Sequence, residues 1–282
     1  MTSVPCVWLN DGLVPLGQAR VSVNDRGFLF GDGLFETLRV DEGRVWFLDE
    51  HLERLAASAS ALRLALPAGF PWPAVLHRLL AANGLDAGTA RVKILLSRGE
   101  VDGPGLPLPT RPTLVIWAYP YTPPSPAEYA AGWPVATFPE RRSTFLGRHK
   151  SLNYLFYLAA RQYALDHGAK EALILEADGR VSEGAATNLL YLHGENFFTP
   201  SAPSALPGVT LVVLRRGLAA RGRSLASRPT AIAHLEAADG LWLANSLMGL
   251  MPVALLDGAP LPQSPATALL QEILAGTAEV RQ

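Results

Sequence analysis

Residues 147–154, Gly-Arg-His-Lys-Ser-Leu-Asn-Tyr, lead into the clearest helical pattern of the chain, at residues 153–166. Lys150 is one of only three lysines among 24 basic residues. An amine that forms a Schiff base must be neutral, and neighbouring cations, here an arginine and a histidine, favour the neutral form. A lone lysine is usually a solvated surface charge. Lys93, in an alternating strand, and Lys170, in a turn, are weaker candidates for a reactive amine.

A second candidate is the carboxylate of Glu183, in the segment Val-Ser-Glu-Gly-Ala-Ala-Thr-Asn at residues 181–188. The small residues that follow Glu183 let a ligand approach the backbone closely. A carboxylate there could pair with a pyridinium nitrogen, keep it protonated and make the ring an electron sink. Taken alone, the segment is more simply explained as a turn with an ordinary carboxylate.

Three features suit a phosphate group. The segment Leu-Pro-Gly-Val-Thr at residues 206–210 leads into a predicted helix, whose first N–H groups and positive dipole end favour an anion. The polar segment Asn-Ser-Leu-Met-Gly at residues 245–249 follows a predicted strand, and Arg54 lies on a predicted helix. Each pattern also occurs in proteins that bind no phosphate, so none is decisive by itself.

Composition and charge exclude several classes of protein. The formal net charge is −1, with 49% apolar and 17% charged residues, which is typical of a globular protein and gives no basis for binding nucleic acid or an anionic membrane. A single cysteine, Cys6, excludes a disulfide framework, and no apolar run reaches the roughly 18–20 residues of a membrane span. The six histidines lack metal-ligand spacing. We therefore expect a cytoplasmic protein without a metal site.

Strand and helix patterns alternate along the chain and predict a mixed α/β fold. Two hairpins are expected, at residues 7–14 and 34–48, and a helix that Asp49 could cap is expected to follow the second. Residues 119–126 include four prolines. They indicate either a linker between two domains or a rigid surface loop within one.

The order of these segments resembles that of the class IV aminotransferases, pyridoxal 5′-phosphate (PLP) enzymes of fold type IV. Residues 25–36, which include Asp-Arg-Gly and Phe-Gly-Asp-Gly-Leu-Phe-Glu, are similar to the N-terminal signature of the family. Residues 50–55, Glu-His-Leu-Glu-Arg-Leu, are similar to its phosphate-binding helix. Residues 149–153 resemble its Schiff-base lysine motif, and residues 183–188 resemble its pyridine-nitrogen motif.

The resemblance covers nearly the whole chain and implies two domains. A small N-terminal α/β domain would comprise residues 1–118, and a linker would follow at residues 119–132. A larger C-terminal α/β pseudo-barrel domain would comprise residues 133–282, with PLP between the domains. The resemblance also implies a homodimer with shared active sites and a small-molecule amino substrate.

The resemblance implies a role for each matching residue. Lys150 would carry PLP as a Schiff base and transfer protons, and Glu183 would pair with the ring nitrogen. The other implied cofactor ligands, most of them at the phosphate, are Arg54, Asn188, Val209, Thr210, Ser246 and Leu247. Thr37 would assist proton transfer, and Phe35 and Arg98 would contact the substrate.

Several features favour one reaction of the family. Residues 245–253 and 95–99 are similar to segments of 4-amino-4-deoxychorismate lyases, and Thr37 falls where those lyases carry a threonine. Residues 100–104 lack the Arg or Tyr of several lyases, so the residue that binds the substrate carboxylate stays open. The Arg-x-His pair typical of D-amino acid aminotransferases is missing. We predict an aminodeoxychorismate lyase, which forms 4-aminobenzoate and pyruvate for folate biosynthesis. The alternatives are a transaminase of branched-chain or other amino acids and a catalytically silent protein of the same fold.

Overall fold

A computed structural model of the chain describes residues 4–109 and 111–279. The chain divides into two compact units. The first contains the residues up to Thr122 together with His149–Asn153, and the second contains Pro123–Arg148 and the residues from Tyr154 onward. The segment that carries Lys150 therefore packs with the N-terminal unit, although it lies far along the chain.

The first unit is an antiparallel sheet with three helices. Its strands are β1 (Cys6–Leu9), β2 (Gly12–Pro15), β3 (Gly33–Asp41), β4 (Arg44–Val45), β5 (Thr89–Ser97) and β6 (Thr113–Pro120). Its helices are α1 (Arg26–Phe30), α2 (Leu48–Ala61) and α3 (Trp72–Ala82). The strands pair in the order β2-β1-β6-β5-β3-β4.

The hairpins match the sequence predictions in part. β1 and β2 form the first hairpin as predicted. In the second, β4 is only two residues long, and Leu48 begins α2 instead of extending the strand. The residue that precedes the helix is Phe47, and the expected cap, Asp49, lies within the first turn. A carboxylate in the first turn still interacts favourably with the helix dipole.

The centre of this unit is the β3–β5 pair, which is in register over nine residues. Successive strand residues face opposite sides of the sheet. One face is fully buried and includes Leu38, Val40, Ile94 and Leu96. Glu36 shares this apolar face, whereas Phe35 and Thr37 lie on the opposite one.

The second unit is built on a nine-stranded mixed sheet. Its strands are β7 (Trp133–Thr137), β8 (Glu171–Leu175), β9 (Val181–Gly184), β10 (Asn188–His193), β11 (Asn196–Pro200), β12 (Leu225–Arg228), β13 (Gly240–Asn245), β14 (Gly249–Leu256) and β15 (Ala259–Pro260). The main order is β12-β11-β10-β13-β14-β7-β8-β9, and β15 pairs with β14. The N–H of Val181 on β9 donates to the carbonyl of Thr230, just after β12 (2.8 Å). This bond joins the two edges of the sheet, which therefore curls like an incomplete barrel.

The described α-helices of the second unit are α4 (Pro126–Ala131), α5 (Leu155–Asp166), α6 (Val209–Ala219), α7 (Ile232–Glu236) and α8 (Ala266–Glu279), and a short 3-10 helix spans Phe145–Arg148. α4 begins with a capping box between Ser125 and Glu128, so part of the predicted linker is helical. Whether residues 119–132 connect two independently folding domains stays a prediction. Among the described residues, none of the helices is long and apolar enough to cross a membrane.

Candidate active site

The Lys150 segment is held against the start of β3 by backbone hydrogen bonds. The N–H of Phe35 donates to the carbonyl of Lys150 (2.8 Å), and the N–H of Leu152 donates to that of Gly33 (2.9 Å). A Cβ atom at Gly33 would lie 2.7 Å from Cδ1 of Leu152, in the lysine segment, and 2.5 Å from the carbonyl oxygen of Leu96, closer than real contacts allow. The glycine of the N-terminal signature therefore lets the lysine segment approach the sheet.

Two lysine side chains lie against one aromatic ring. The Nζ atoms of Lys150 and Lys93 are 4.7 and 4.8 Å from the ring centroid of Phe35. Burial, with a smaller contribution from the charge of Arg91, lowers the pKa of Lys93. Lys93 pairs with Thr37 across β3 and β5, so Thr37 shares its face of the sheet. Sequence reasoning set Lys93 aside, although the scarcity of lysines and the predicted strand pairing could have identified it.

A buried ionic cluster fixes Arg54 on the apolar side of the sheet. The guanidinium of Arg54 donates from Nε to Oε1 of Glu36 (2.8 Å) and from Nη2 to Oε2 (2.6 Å). Nδ1 of His51 lies 2.6 Å from the same Oε2. Burial lowers the pKa of His51, and the charges of Arg54 and Lys150 lower it further against the opposing effect of Glu36. Arg54 is thus anchored by the protein, and its contact with a phosphate stays a prediction.

Arg98 has a structural environment. Its Nε and Nη2 donate to the two carboxylate oxygens of Asp32 (2.7 and 3.0 Å). Its Nη1 donates to the carbonyls of Arg63 (2.9 Å) and Pro107 (2.8 Å), and Nη2 also donates to that of Leu62 (2.8 Å). All five N–H donors of a guanidinium are thereby used, and the side chain is fully buried. This geometry does not support the substrate contact expected of Arg98, which instead ties a loop to the sheet.

In the second unit, the carboxylate of Glu183 is enclosed by donors. Oε1 accepts from Nη2 of Arg142 (2.9 Å) and from the hydroxyl of Tyr157 (2.9 Å), and Oε2 accepts from the N–H of Leu206 (2.9 Å). The guanidinium of Arg142 also donates to the Tyr157 hydroxyl. Sequence reasoning missed Arg142 and Tyr157, because neither the family motifs used nor the local pattern singles them out.

A second tyrosine contacts the loop that follows Glu183. The hydroxyl of Tyr154 donates to the carbonyl of Ala185 (3.1 Å). Burial, together with the negative charges of Glu171 and Glu183, raises the pKa of Tyr154 to about 12. The Tyr154 side chain is therefore a neutral phenol at physiological pH. Because it directly follows the Lys150 segment, its position in the sequence could have suggested it.

The start of α6 presents a polar group without a partner. The first hydrogen bond within the helix runs from the N–H of Val212 to the carbonyl of Gly208 (3.1 Å), so the N–H groups of Val209 and Thr210 precede it. In the part of the chain that the structure describes, the hydroxyl of Thr210 is buried and has no hydrogen-bond partner. Nδ2 of Asn188 donates to the carbonyl of Leu206 (2.9 Å) and so fixes the approach to the helix. A buried hydroxyl at a helix N-terminus suits an anionic ligand.

The turn between β13 and β14 has a different arrangement. Oδ1 of Asn245 accepts from the N–H groups of Leu247 (3.0 Å) and Met248 (2.9 Å). The N–H of Leu247 thus donates within the turn, and the expected contact of Leu247 with a phosphate stays a prediction. Ser246 lies half-buried in the same turn, and its role as a ligand stays a prediction.

Residues 33–256 match the family model described as amino-transferase class IV. The chain belongs to the class IV aminotransferase family. The match begins at the first residue of β3 and ends at the last residue of β14, and so it includes residues of both units. Across the described ranges 4–109 and 111–279, no group of three or more His, Cys, Asp or Glu side chains could hold a metal ion.

Relatives in the family carry different names. The chain is 30% identical over 274 residues to the branched-chain-amino-acid aminotransferase-like protein 2 of Arabidopsis thaliana. This alignment covers 94% of this chain and 48% of the plant protein. It therefore spans about half the length of that relative. It is 29% identical over 257 residues to the aminodeoxychorismate lyase of Bacillus subtilis, covering 89% of this chain and 86% of the lyase.

A solved structure shares the fold. A hypothetical aminotransferase from Mycobacterium tuberculosis in its PLP-bound form superposes with a TM-score of 0.85 at 25% identity. The alignment covers 97% of this chain and 99% of that chain. The mixed α/β fold of the fold-type IV enzymes is thereby confirmed.

Proposed function

We propose that this chain is a PLP-dependent enzyme that carries its cofactor on Lys150. When bound, PLP supplies an aldehyde that condenses with amines and a ring that takes up the electron pair released from a substrate carbon. The buried, unpartnered hydroxyl of Thr210 at the start of α6 is the observation that supports a phosphate there. Val209, Asn188, Ser246 and Arg54 are the further ligands we propose.

The roles of the side chains follow from their chemistry. The Nζ of Lys150 lies against the ring of Phe35. Once the substrate amine had taken its place on the cofactor, the released amine would act as the base that removes a proton from the amine-bearing carbon of the substrate. The carboxylate of Glu183 would accept a hydrogen bond from the protonated ring nitrogen. We propose that Lys93 binds a substrate carboxylate, because its ammonium lies against the same aromatic ring as Lys150.

We propose the aminodeoxychorismate lyase reaction as the specific activity. The supporting observation is the position of Thr37, on the same strand face as Phe35 and directly opposite Lys93. A hydroxyl at that position could relay to the departing pyruvate fragment the proton that Lys150 has taken from the substrate, so that the threonine regains its own proton. The name of the Bacillus subtilis relative is consistent with this activity.

A transaminase is the second candidate, favoured by the aminotransferase names of the Arabidopsis relative and the Mycobacterium tuberculosis structure. One assay separates the two activities. Purified enzyme with PLP is mixed with 4-amino-4-deoxychorismate in the absence of a keto acid. A lyase releases equal amounts of 4-aminobenzoate and pyruvate, whereas a transaminase requires a keto acid for repeated turnover.

The matched variants for this assay are Thr37→Val and Thr37→Ser. Valine has the shape of threonine without the hydroxyl, and serine keeps the hydroxyl. We expect Thr37→Val to lower the lyase rate by about a hundredfold, within the range for a lost proton donor, and Thr37→Ser to retain most of it. Equal rates for Thr37→Val and the unchanged enzyme would refute the role of Thr37.

We also propose that the enzyme is a cytoplasmic homodimer. Helix α1 exposes three consecutive apolar side chains, Phe28, Leu29 and Phe30, with exposed fractions of 74, 52 and 59%. Adjacent apolar side chains of this size often mark a protein interface. Light scattering of the purified protein tests the proposal, and a monomer at micromolar concentration would contradict it.

A further inference from the structure

We propose that Arg142 and Tyr157 are positioning residues that keep Glu183 ionised, so that the shared proton stays on the ring nitrogen of bound PLP. This inference rests on the proposed function, and specifically on the pairing of Glu183 with that nitrogen. It adds two residues, both outside the family motifs identified in the sequence. Arg142, Tyr157 and Glu183 all belong to the second unit.

The first step is that Oε1 of Glu183 receives two donors from these side chains. Nη2 of Arg142 and the hydroxyl of Tyr157 both lie 2.9 Å from it. The side chain of Glu183 is 4% exposed and that of Arg142 is 12% exposed. A charged pair so shielded from water interacts much more strongly than an exposed one.

The second step is that the cation is itself held in place. The centre of the Arg142 guanidinium lies 4.4 Å from the ring centroid of Tyr157 and 5.1 Å from that of Phe156. Such cation–π contacts orient the guanidinium. A Cβ atom at Gly147 would lie 2.9 Å from Nη2 of Arg142 and 2.0 Å from the carbonyl oxygen of Ser204. The glycine therefore leaves the space that the guanidinium occupies.

The proton between Glu183 and the ring nitrogen stays on the nitrogen if Glu183 is the weaker base of the two. A positive charge in contact with a carboxyl group favours its ionised form by about ten- to a thousandfold. Tyr157 adds a neutral donor, since burial and the charge of Glu183 raise the pKa of its phenol. Both side chains therefore disfavour proton transfer to Glu183. A ring nitrogen that keeps its proton withdraws electrons more strongly from the reacting carbon.

The test is made on holoenzyme reconstituted with PLP that carries ¹⁵N in the ring, by ¹⁵N NMR at one fixed pH. We expect the unchanged enzyme to give the signal of a protonated nitrogen and Arg142→Gln to shift it toward the unprotonated value. Tyr157→Phe keeps the ring beneath the guanidinium and loses only the hydroxyl, so we expect a smaller shift in the same direction. Arg142→Lys retains the charge and should restore much of the signal.

The matched control is Arg141→Gln, which removes the same charge one residue earlier from an exposed side chain. We expect it to leave the nitrogen signal unchanged. Turnover should fall about ten- to a hundredfold in Arg142→Gln, the range typical of losing a partner of a reacting group. The substrate α-deuterium isotope effect should rise at the same time, which a merely structural role would not produce.

The outcomes separate the two proposals. An unchanged enzyme that binds no PLP would refute the proposed function itself. An enzyme that binds PLP, with Arg142→Gln and Tyr157→Phe both giving the signal of the unchanged protein, would refute this inference alone. If Arg142→Gln fails to fold, Tyr157→Phe decides: a shifted signal supports the inference and an unshifted one contradicts it.

Discussion

Replacing Glu36 by glutamine should weaken the first unit in a pH-dependent way. Glu36 is buried at the centre of β3 and accepts hydrogen bonds from Arg54 and His51. Burial alone would raise its pKa, but the charge of Arg54 and the hydrogen bonds from His51 and Arg54 outweigh burial and lower the pKa from 4.5 to about 2. Glutamine has nearly the same shape but no charge, so it leaves Arg54 buried without its counter-ion.

The size of the effect follows from the pKa. A shift from 4.5 to about 2, at about 1.36 kcal/mol per unit, corresponds to about 3 kcal/mol of folding free energy. Because the folded-state pKa is the lower one, this stabilisation is fully present above pH 4.5. It is lost as the pH falls toward 2. At neutral pH, a loss of about 3 kcal/mol should lower Tm by about 6–12 °C.

The measurement is thermal and urea unfolding of cofactor-free protein between pH 3 and pH 7, so that PLP binding does not contribute to stability. The control is Glu53→Gln, which removes an exposed carboxylate from the same helix as Arg54 and should change stability by less than about 0.5 kcal/mol. The difference between Glu36→Gln and the unchanged protein should narrow as the pH falls below 4.5. A Tm equal to that of Glu53→Gln at pH 7 would refute the reasoning, as would a difference that does not depend on pH.

Three further predictions concern other parts of the structure. Gly208→Ala would place a Cβ atom 1.9 Å from Oδ1 of Asn188. This substitution should lower the free energy of unfolding by about 1–3 kcal/mol and weaken PLP binding in a fluorescence titration. The control Gly276→Ala, with open space around it, should leave stability unchanged or slightly higher. Arg98→Lys should lower the free energy of unfolding, measured in urea, by about 3 kcal/mol or more, because a lysine cannot donate to all five acceptors. The substrate KM should stay within about twofold of that of the unchanged enzyme. A large rise in KM in a stable Arg98→Lys protein would contradict the structural role. The pKa of Tyr154 is raised to about 12, so this side chain should contribute no phenolate absorbance below about pH 11. The test is the difference in absorbance between the unchanged enzyme and Tyr154→Phe as the pH is raised. A difference that appears near pH 10 would contradict the buried environment assigned to Tyr154.

The sequence alone supports a proposal for those parts of the site that depend on short segments. Lys150 and Glu183 each lie in a contiguous motif, and the start of α6 follows from a Pro-Gly sequence before a helix. A motif near one residue cannot show which partners reach it from elsewhere in the chain. The side-chain donors to Glu183 come from positions 41 and 26 residues earlier, so only folding brings them to the carboxylate.

The environment of Arg98 could not be read from the sequence. The family resemblance implied a substrate contact, but two of the acceptors of Arg98 are carbonyls 35 and 36 residues away. Whether an arginine binds a ligand depends on how many of its donors the protein already uses, and that number requires the folded chain. Lys93 was set aside because its strand was considered alone, whereas the pairing of β5 with β3 places Lys93 opposite Thr37.

The most direct test of the central proposal is to reduce the PLP-loaded enzyme with borohydride, digest it and locate the modified lysine by mass spectrometry. The chain contains three lysines, Lys93, Lys150 and Lys170, so mass spectrometry can distinguish every possible site of modification. We predict one pyridoxyl group per chain, on Lys150, and no labelling of a Lys150→Ala protein that remains folded. A label on Lys93 or Lys170 in the unchanged enzyme, or no label at all after incubation with PLP, would contradict the account.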